Sequence, residues 1–553
     1  MDQQLSPVVL ATVSAGIILY VIYKFLKIGS RPADLPPGPP TIPILGNIHQ
    51  IPAERPHLQF QKWAQEYGPI YSLMLGTTTM IVLSSPKTVK DLMQDRSAIY
   101  SSRPDMYLAH DVASNCQRFV TMKYGPMWRL VHKMMHNTLN IKTAVAYVPY
   151  QDLENKNMLL GLLERPDDFV LHLRRYTSSL TTQMVYGFRT ISTADPRMIQ
   201  FFRGFERWGK IAGSASAQIM DCFPILRRIP APFNPEYRNA AELYQEERKL
   251  YVGHWNDVKE RILRGTCLPC FSVDVFLAQE KEHFTDEQAA YISGSLLEGG
   301  SDTTSGTLVG FIQAMLVFPE TQKAAQEEID KVVGFDRMPE MDDAPNCPYI
   351  RSCVKEAIRW MPTLILGSPH GLIQEDHYMG YRIPKGAAIV NNNWTINMDP
   401  ERNPNPRKYD PMRFINDSQS EFQSATNSDE NQRQNWIFGA GRRMCQGMHI
   451  AERSLFLAAA RIVWAFNIDK PIGPDGQPIV PDIEDLVGGT TVLPRDFRID
   501  MTPRSSKKAE MIREAWKRCE EDLLDPVTKQ WMKIPEGMKF GTYVPKKVQE
   551  MTA

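Results

Sequence analysis

Phe438-Gly439-Ala440-Gly441-Arg442-Arg443-Met444-Cys445-Gln446-Gly447 is the stretch that decides the fold. Its glycines, on both sides of the cysteine, permit a tight turn in which backbone N–H groups approach the sulfur closely. The residues after Gly447 are typical of a helix, whose N-terminal dipole favours a negatively charged sulfur. An isolated buried cysteine is usually only a small apolar side chain. The surroundings of Cys445 favour a thiolate ligand instead.

This loop resembles the cysteine loop of the cytochromes P450, Phe-x-x-Gly-x-Arg-x-Cys-x-Gly, at every fixed position. The resemblance covers about residues 30 to 500. It implies a single, mainly α domain with small β-sheets, which binds haem b (iron protoporphyrin IX) through the axial thiolate of Cys445. Phe438 and Gly439 would lie against the cofactor. Thiolate ligation pushes electron density onto the iron and assists cleavage of the O–O bond.

A long helix is predicted from Thr285, whose spacing to Gln288 is that of a capping box, to Pro319, which would stop it. Within it, residues 299–304 (Gly-Gly-Ser-Asp-Thr-Thr) resemble the oxygen-activation motif of the family. The two adjacent glycines suggest a local opening of the helix. By resemblance, Asp302 and Thr303 are the catalytic residues: Thr303 would donate a hydrogen bond to dioxygen, and Asp302 would relay protons.

Further motifs of the family imply a structural network and partners for the two haem propionates. Glu356 and Arg359 match Glu-x-x-Arg, and Arg413 would complete a three-residue network, although Met412 stands where relatives often have Glu. By resemblance, the residues expected to contact the haem are Arg443, Trp128, His132 and His370. His132 departs from the family, because relatives usually carry Arg at that position.

The N-terminal region predicts a membrane anchor. Val8 to Tyr23 carries no charge, and Phe25 and Leu26 extend the apolar stretch past Lys24 towards the roughly 20 residues that a bilayer span needs. The predicted units are a transmembrane anchor (1–28), a proline-rich hinge (29–54), the haem-thiolate monooxygenase domain (55–502) and a charged C-terminal extension (503–553). Basic residues after the apolar run favour a single-pass protein of the endoplasmic reticulum with a cytosolic domain.

The composition excludes several classes of protein. Lys plus Arg and Asp plus Glu both total 63, so a nucleic-acid partner is not expected. The eight cysteines lack the density of a disulfide scaffold. Cys267 and Cys270 have the spacing of half a zinc site or of a redox pair, but no second pair follows, and a loop is predicted there.

We therefore expect an enzyme that uses NADPH and O₂ to oxidise, and more specifically to hydroxylate, a small lipophilic molecule. Residues 378–400 are similar to fungal enzymes of secondary metabolism. The expected electron donor is NADPH-cytochrome P450 reductase, which would dock on Arg129, Lys133 and Arg442. By analogy, the walls of the substrate pocket are residues 106–122, 211–223, 293–302, 364–371 and 488–492.

Two alternatives remain open. One keeps the fold but rearranges or couples its substrate without inserting oxygen. The pair Asp302 and Thr303 argues against it, because such relatives do not need that pair. The other alternative is a haem-binding sensor that performs no turnover.

Overall fold

The computed structural model describes residues 7–488 and 491–535. The chain is mainly helical, as predicted. Many helices begin at a proline, whose ring fixes a helical φ where the first N–H groups have no intrahelical partner. The longer helices are Pro7–Lys27, Pro56–Tyr67, Pro126–Leu139, Val148–Glu164, Phe169–Tyr186, Pro196–Ala212, Ala215–Cys222, Pro235–Leu263, Phe271–Glu282, Asp286–Val317, Pro319–Val333, Pro348–Trp360, Met448–Ala465 and Ser506–Leu523. The short ones are Pro86–Val89, Ser97–Tyr100, Ile141–Ala144, Asn393–Asn397 and Glu421–Ala425.

The strands form one four-stranded sheet and three two-stranded pairs. Two runs rich in β-branched and large apolar residues give the antiparallel strands Ile70–Leu75 and Thr78–Leu83. Thr78–Leu83 then pairs in parallel with Ala388–Asn391, which pairs in turn with His370–Gly371. The remaining pairs are Asp376–Tyr378 with Tyr381–Ile383, Phe466–Asp469 with Asp500–Pro503, and Leu486–Val487 with Leu493–Pro494.

The central helix, Asp286–Val317, begins and ends where the sequence predicts. Thr285 Oγ1 accepts from the Gln288 N–H, and the Gln288 side chain accepts from the Thr285 N–H, so the capping box is formed. The predicted opening at the glycines is wrong, because the helix is continuous. The structure gives Gly300 a packing role: a Cβ there would lie 2.6 Å from Thr181 Oγ1 of the neighbouring helix.

Glu356, Arg359 and Arg413 come together as predicted. Arg359 donates to both carboxylate oxygens of Glu356 at 2.6 and 2.7 Å, and Arg413 approaches the same carboxylate at 3.4 Å. Arg359 also donates to the backbone carbonyls of Asn397 and Pro406. The pair is fully buried, and it ties helix Pro348–Trp360 to the loops that lead towards the cysteine.

The predicted membrane anchor is not supported. Residues Pro7–Lys27 form a helix, but no helix in the described part of the chain is both long and apolar enough to cross a bilayer. The prediction depended on extending the uncharged run past Lys24. Lys24 and Lys27 instead occupy the last turn of the helix, and the uncharged run alone is shorter than the roughly 20 residues of a span.

Residues on both sides of the predicted 55–502 domain pack against it. In the proline-rich segment, the Pro37 carbonyl accepts from the Ser72 N–H at 2.8 Å, and Arg31 donates to Ser72 Oγ at 2.9 Å. The predicted charged C-terminal extension forms an amphipathic helix, Ser506–Leu523, which lies on helix Val148–Glu164. Residues 1–6 and 536–553 of the two predicted end units lie outside the described residues.

Beyond the C-terminal helix, residues 524–535 hold the end of helix Phe169–Tyr186. Trp531 Nε1 donates to Gln183 Oε1 at 2.6 Å, and its ring packs at a tilt against that of Tyr150, with centroids 5.5 Å apart. The Gln530 side chain accepts from the Arg189 N–H at 2.6 Å and donates to the Arg189 carbonyl at 3.1 Å. The extension is therefore a structural part of the domain.

Candidate active site

Cys445 lies in a turn that supports a thiolate. Its N–H donates to the Phe438 carbonyl at 2.8 Å, which closes the loop. Gly439 and Gly441 have φ of +75° and +61°, values that residues with a side chain rarely adopt. A Cβ at Gly441 would collide with the Met93 carbonyl. The loop thus requires glycine at the positions where the sequence has it.

The electrostatics of Cys445 have two opposing parts. Burial raises the pKa of the thiol, while the backbone N–H groups of Gly447 and Met448 act to lower it. Both belong to the start of helix Met448–Ala465. Protein surrounds the sulfur, yet the residue keeps accessible surface. A cation bound at the sulfur would lower the pKa of the thiol further than these N–H groups do.

Two arginines next to this loop lack an acidic partner. Arg443 donates only to the carbonyls of Ser101 and Met122, and Arg103 only to those of Val120, Ser368 and Pro369. Neither pairs with a carboxylate among the described residues. Burial and their mutual repulsion lower the pKa of Arg443 to about 8, and burial lowers that of Arg103 to about 10.

Buried cations without a counter-ion are unfavourable unless a ligand supplies the charge. A porphyrin with two propionates is such a ligand, and bidentate arginine suits its carboxylates. Trp128 adds a second observation. Its Nε1 is buried without a hydrogen-bond partner, and its ring stacks under Arg443 at 4.5 Å. The residues present therefore fit haem: Cys445 would hold the iron, and Arg443, Arg103 and Trp128 would contact the propionates.

The two predicted histidine contacts are less well placed for an anion. His370 donates from Nδ1 to the Tyr100 carbonyl at 2.7 Å, and burial keeps its pKa well below the ordinary value. His132 stacks on Trp128 at 4.6 Å, and its Nε2 accepts from Gln446 at 3.0 Å. A neutral His370 ring therefore has an acceptor at its free Nε2, whereas a neutral His132 ring keeps its proton on the free Nδ1. The role of both at the propionates stays a prediction.

Thr303 and Asp302 point in different directions. Thr303 is partly accessible and donates to the Gly299 carbonyl at 2.9 Å. A Cβ at Gly299 would meet no atom within 4 Å, so this face of the helix borders open space. Asp302 is buried and accepts a short hydrogen bond from Thr491 Oγ1. Burial raises the pKa of Asp302, and the Thr491 hydroxyl opposes that shift.

The predicted pocket walls do contact one another. The Phe119 N–H donates to Ser295 Oγ at 3.3 Å, and the Tyr107 N–H donates to Asp221 at 2.7 Å. Segments 106–122, 211–223 and 293–302 are thus adjacent, and segment 364–371 joins them through Arg103. Of the predicted wall 488–492, residues 489 and 490 lie outside the described residues.

Sequence reasoning missed Arg103 and Thr491. Arg103 belongs to Ser101-Ser102-Arg103-Pro104, which shows no periodicity and reads as an ordinary loop. Thr491 was included only as part of a pocket wall. Neither role could be found without the fold, because both residues meet their partners across long sequence separations.

The predicted docking residues Arg129, Lys133 and Arg442 are all exposed, and Arg442 donates to Tyr124, two residues before helix Pro126–Leu139.

Comparison with known proteins agrees with this geometry. The family model for cytochrome P450 matches residues 36–490. The chain is 48% identical to the cytochrome P450 monooxygenase virE of Hypocrea virens, over 96% of both chains. It is 46% identical to fsoB of Humicola fuscoatra, over 97% of this chain and 98% of the relative, and 47% identical to fogE of Aspergillus ruber, over 96% and 99%. Both of these are also named cytochrome P450 monooxygenases.

The match extends from the proline-rich segment through the cysteine loop, and it includes every residue that the structure gathers around Cys445. The similarity extends over nearly the whole chain, and the cysteine loop and the two arginines without a carboxylate partner agree with it. The chain belongs to the cytochrome P450 family and is a haem-thiolate monooxygenase.

Proposed function

We propose that this enzyme uses electrons from NADPH and O₂ to hydroxylate a small lipophilic molecule in fungal secondary metabolism. The observation that carries the proposal is that the chain has both a Cys445 loop whose backbone N–H groups favour a thiolate and a central helix with Thr303 on an accessible face. When bound, haem b supplies the oxygen-activating chemistry, assisted by electron donation from the thiolate. The fungal relatives support the metabolic setting.

The residues of the chain would divide the remaining work. The N–H groups of Gly447 and Met448 stabilise the negative sulfur. Arg443, Arg103 and Trp128 orient the cofactor through its propionates. Thr303 presents a hydroxyl whose proton is held by the Gly299 carbonyl and can turn to an oxygen in the open space beside it. Asp302 supplies protons from the other side of the same helical turn.

The thiolate assignment is tested by Cys445→His, with Cys116→Ser as a control at an exposed cysteine. The histidine variant should lose the thiolate signature of the reduced carbon monoxide complex, and the control should keep it. A Cys445→His protein with the Soret band of the parent would refute the assignment.

The oxygenase role is tested by Thr303→Ala, with Thr307→Ala one turn further along the same helix as its control. Positioned proton-transfer groups are worth roughly 10²–10⁴ in rate. Thr303→Ala should still bind haem and consume NADPH, but hydrogen peroxide should rise at the expense of oxidised product. If the ratio of product to NADPH stays unchanged at matched haem content, Thr303 only packs the helix.

The electron donor in this proposal is NADPH-cytochrome P450 reductase, which docks on the exposed face that carries Arg129, Lys133 and Arg442. Exposed rim charges act mainly on the association rate and on its salt dependence. Lys133→Glu should slow reduction and flatten its dependence on ionic strength, while Lys517→Glu, on the C-terminal helix, should change neither. Unchanged reduction after reversal of all three charges would place docking elsewhere.

A further inference from the structure

Cys267 and Cys270 form a buried pair of thiols in the loop between helices Pro235–Leu263 and Phe271–Glu282. Their sulfur atoms are 3.9 Å apart, and the residues are only 4% and 5% exposed. A disulfide bond is about 2.05 Å long, so each sulfur has to move by only about 1 Å to form one. Within the described ranges, no third His, Cys, Asp or Glu joins them to complete a metal site. The spacing therefore serves redox chemistry rather than zinc.

The loop holds the backbone of both cysteines in place. The N–H groups of Thr266 and Cys267 both donate to the Arg261 carbonyl, at 2.9 and 3.1 Å, in the last turn of the preceding helix. Cys270 is the N-cap of the following helix, Phe271–Glu282. Because the loop is anchored at both ends, the two sulfurs can meet through rotation of their side chains, and the fold around them need not change.

The two thiols are not equivalent. A thiol has one proton, and that of Cys267 is donated to the Leu268 carbonyl at 3.2 Å, so the contact between the sulfurs takes its proton from Cys270. This hydrogen bond lowers the pKa of Cys267, against the effect of burial, and the charge of Arg261 lowers it further. Burial and the neighbouring Cys267 raise the pKa of Cys270 well above its ordinary value. Cys267 therefore loses its proton first, and the thiolate is the reactive form.

Arg261 supplies the positive charge beside the pair. Its guanidinium donates to the carbonyls of Tyr186 and Gly187, at 2.8 and 3.2 Å, where helix Phe169–Tyr186 ends. It also donates to the carbonyl of Asp257, whose carboxylate pairs with Arg197 instead. The guanidinium of Arg261 thus bonds to backbone oxygens, and its charge remains available to stabilise a thiolate.

We propose that Cys267 and Cys270 are an oxidisable dithiol, which hydrogen peroxide closes to an internal disulfide. The Cys267 thiolate attacks one peroxide oxygen, the O–O bond breaks, and the departing hydroxide takes up a proton to become water. The Cys270 sulfur then attacks the sulfenic acid on Cys267. The S–S bond forms, the S–O bond breaks, and the hydroxide leaves as a second water with the Cys270 proton. Two thiols are oxidised to one disulfide, and one peroxide is reduced to two waters.

The test uses the full-length holoenzyme, freed of reductant and exposed to hydrogen peroxide, which catalase then removes. Trypsin cuts after Arg264 and Lys281, so both cysteines lie on peptide 265–281, which has no other cysteine. After denaturation and alkylation, mass spectrometry should find this peptide without label and two hydrogens lighter than the dithiol. Dithiothreitol before alkylation should restore both labels. Cys347 and Cys353, buried thiols whose pKa values burial raises, are internal controls and should stay labelled.

Single substitutions test the order of attack. Cys270→Ser should stop at the sulfenic acid on Cys267, which dimedone traps. Cys267→Ser should leave Cys270 unreactive towards dimedone. Equal trapping in the two variants would overturn the assignment of Cys267 as the attacking thiolate.

The parent enzyme alone also decides the inference, because its result needs no substitution to fold. A peptide 265–281 that keeps both labels after the thiolate spectrum of the haem has already been lost to peroxide would overturn it. So would oxidation of Cys347 and Cys353 at the same rate, since the pair would then have no special reactivity. The peroxide is added from solution, so the result does not depend on the proposed oxygenase function, and either can fail without the other.

Discussion

Buried arginines occur in two settings in this protein. Arg359, Arg175 and Arg118 are buried against carboxylates, those of Glu356, of Glu154, and of Glu247 with Glu298. Arg443 and Arg103, beside the cysteine loop, donate to backbone carbonyls and pair with no carboxylate among the described residues. The first group completes its own charge balance and ties helices together. The second group keeps a positive charge that no carboxylate of the fold neutralises. That charge indicates where an anionic ligand would bind.

The largest effect is expected where a balanced pair is broken. Glu356→Ala leaves Arg359 buried without its counter-ion, which typically costs about 3–5 kcal/mol. Glu510→Ala removes the partner of Arg513 from an exposed pair and should cost at most about 1 kcal/mol. Urea unfolding of both variants measures the difference, and similar midpoints would show that the buried pair does not stabilise the fold.

Arg443→Met should weaken the cofactor rather than the fold. Removing an unbalanced buried charge relieves its desolvation cost, so helical content should be unchanged. Haem binding should lose one charge-assisted contact of about 1.5–3 kcal/mol, which corresponds to roughly 10- to 100-fold faster haem loss. Transfer of haem to a haem-scavenging protein gives the rate. A variant that unfolds as readily as Glu356→Ala would remove the distinction between the two settings.

Arg103→Gln should show the same effect more weakly. Glutamine keeps two N–H donors for the surrounding carbonyls but loses the charge. A net loss of about 1 kcal/mol corresponds to roughly fivefold faster haem loss. The same transfer assay applies. Haem loss at the parental rate would assign Arg103 to loop structure alone, because its contacts to Ser368 and Pro369 would then be its whole role.

The smallest effect concerns pH. Arg118 is shared by two acids, and burial raises the pKa of Glu247 although Arg118 opposes the shift. Between pH 4.5 and the raised pKa of about 7, the folded state binds more protons than the unfolded one, so this group's contribution to stability falls as the pH rises through that window. Glu247→Gln should flatten that part of the pH profile, by on the order of 1 kcal/mol. An unchanged slope in unfolding midpoints between pH 5 and 8 contradicts this.

The same contrast explains which features could be predicted. The cysteine loop, the capped central helix and the pair Glu356 and Arg359 are local patterns, readable over a few residues. The balancing of charge is not local. Arg118 meets Glu298 across 180 positions, and Arg443 meets Ser101 across 342. No spacing rule reveals that one of these arginines finds an acid and the other does not.

The prediction that the glycines open the central helix is wrong for a related reason. Their helix-weakening tendency is a property of the isolated segment, and it predicts an opening. In the fold, Gly300 is needed because Thr181 approaches it, whereas a Cβ at Gly299 would meet no atom within 4 Å. A tertiary contact, which the sequence alone does not display, therefore explains Gly300.

The docked C-terminal tail also has a consequence for synthesis. Arg189 and its partner Gln530 are 341 residues apart, and a ribosome adding roughly 5–20 residues per second takes on the order of 20–70 s to make the intervening chain. Until then, Gln183, Tyr150 and the Arg189 backbone lack the contacts that Trp531 and Gln530 provide. The nascent protein therefore keeps an open apolar seam through most of its translation. Gln530 and Trp531 close that seam, so a chain cut short before residue 530 would leave it open.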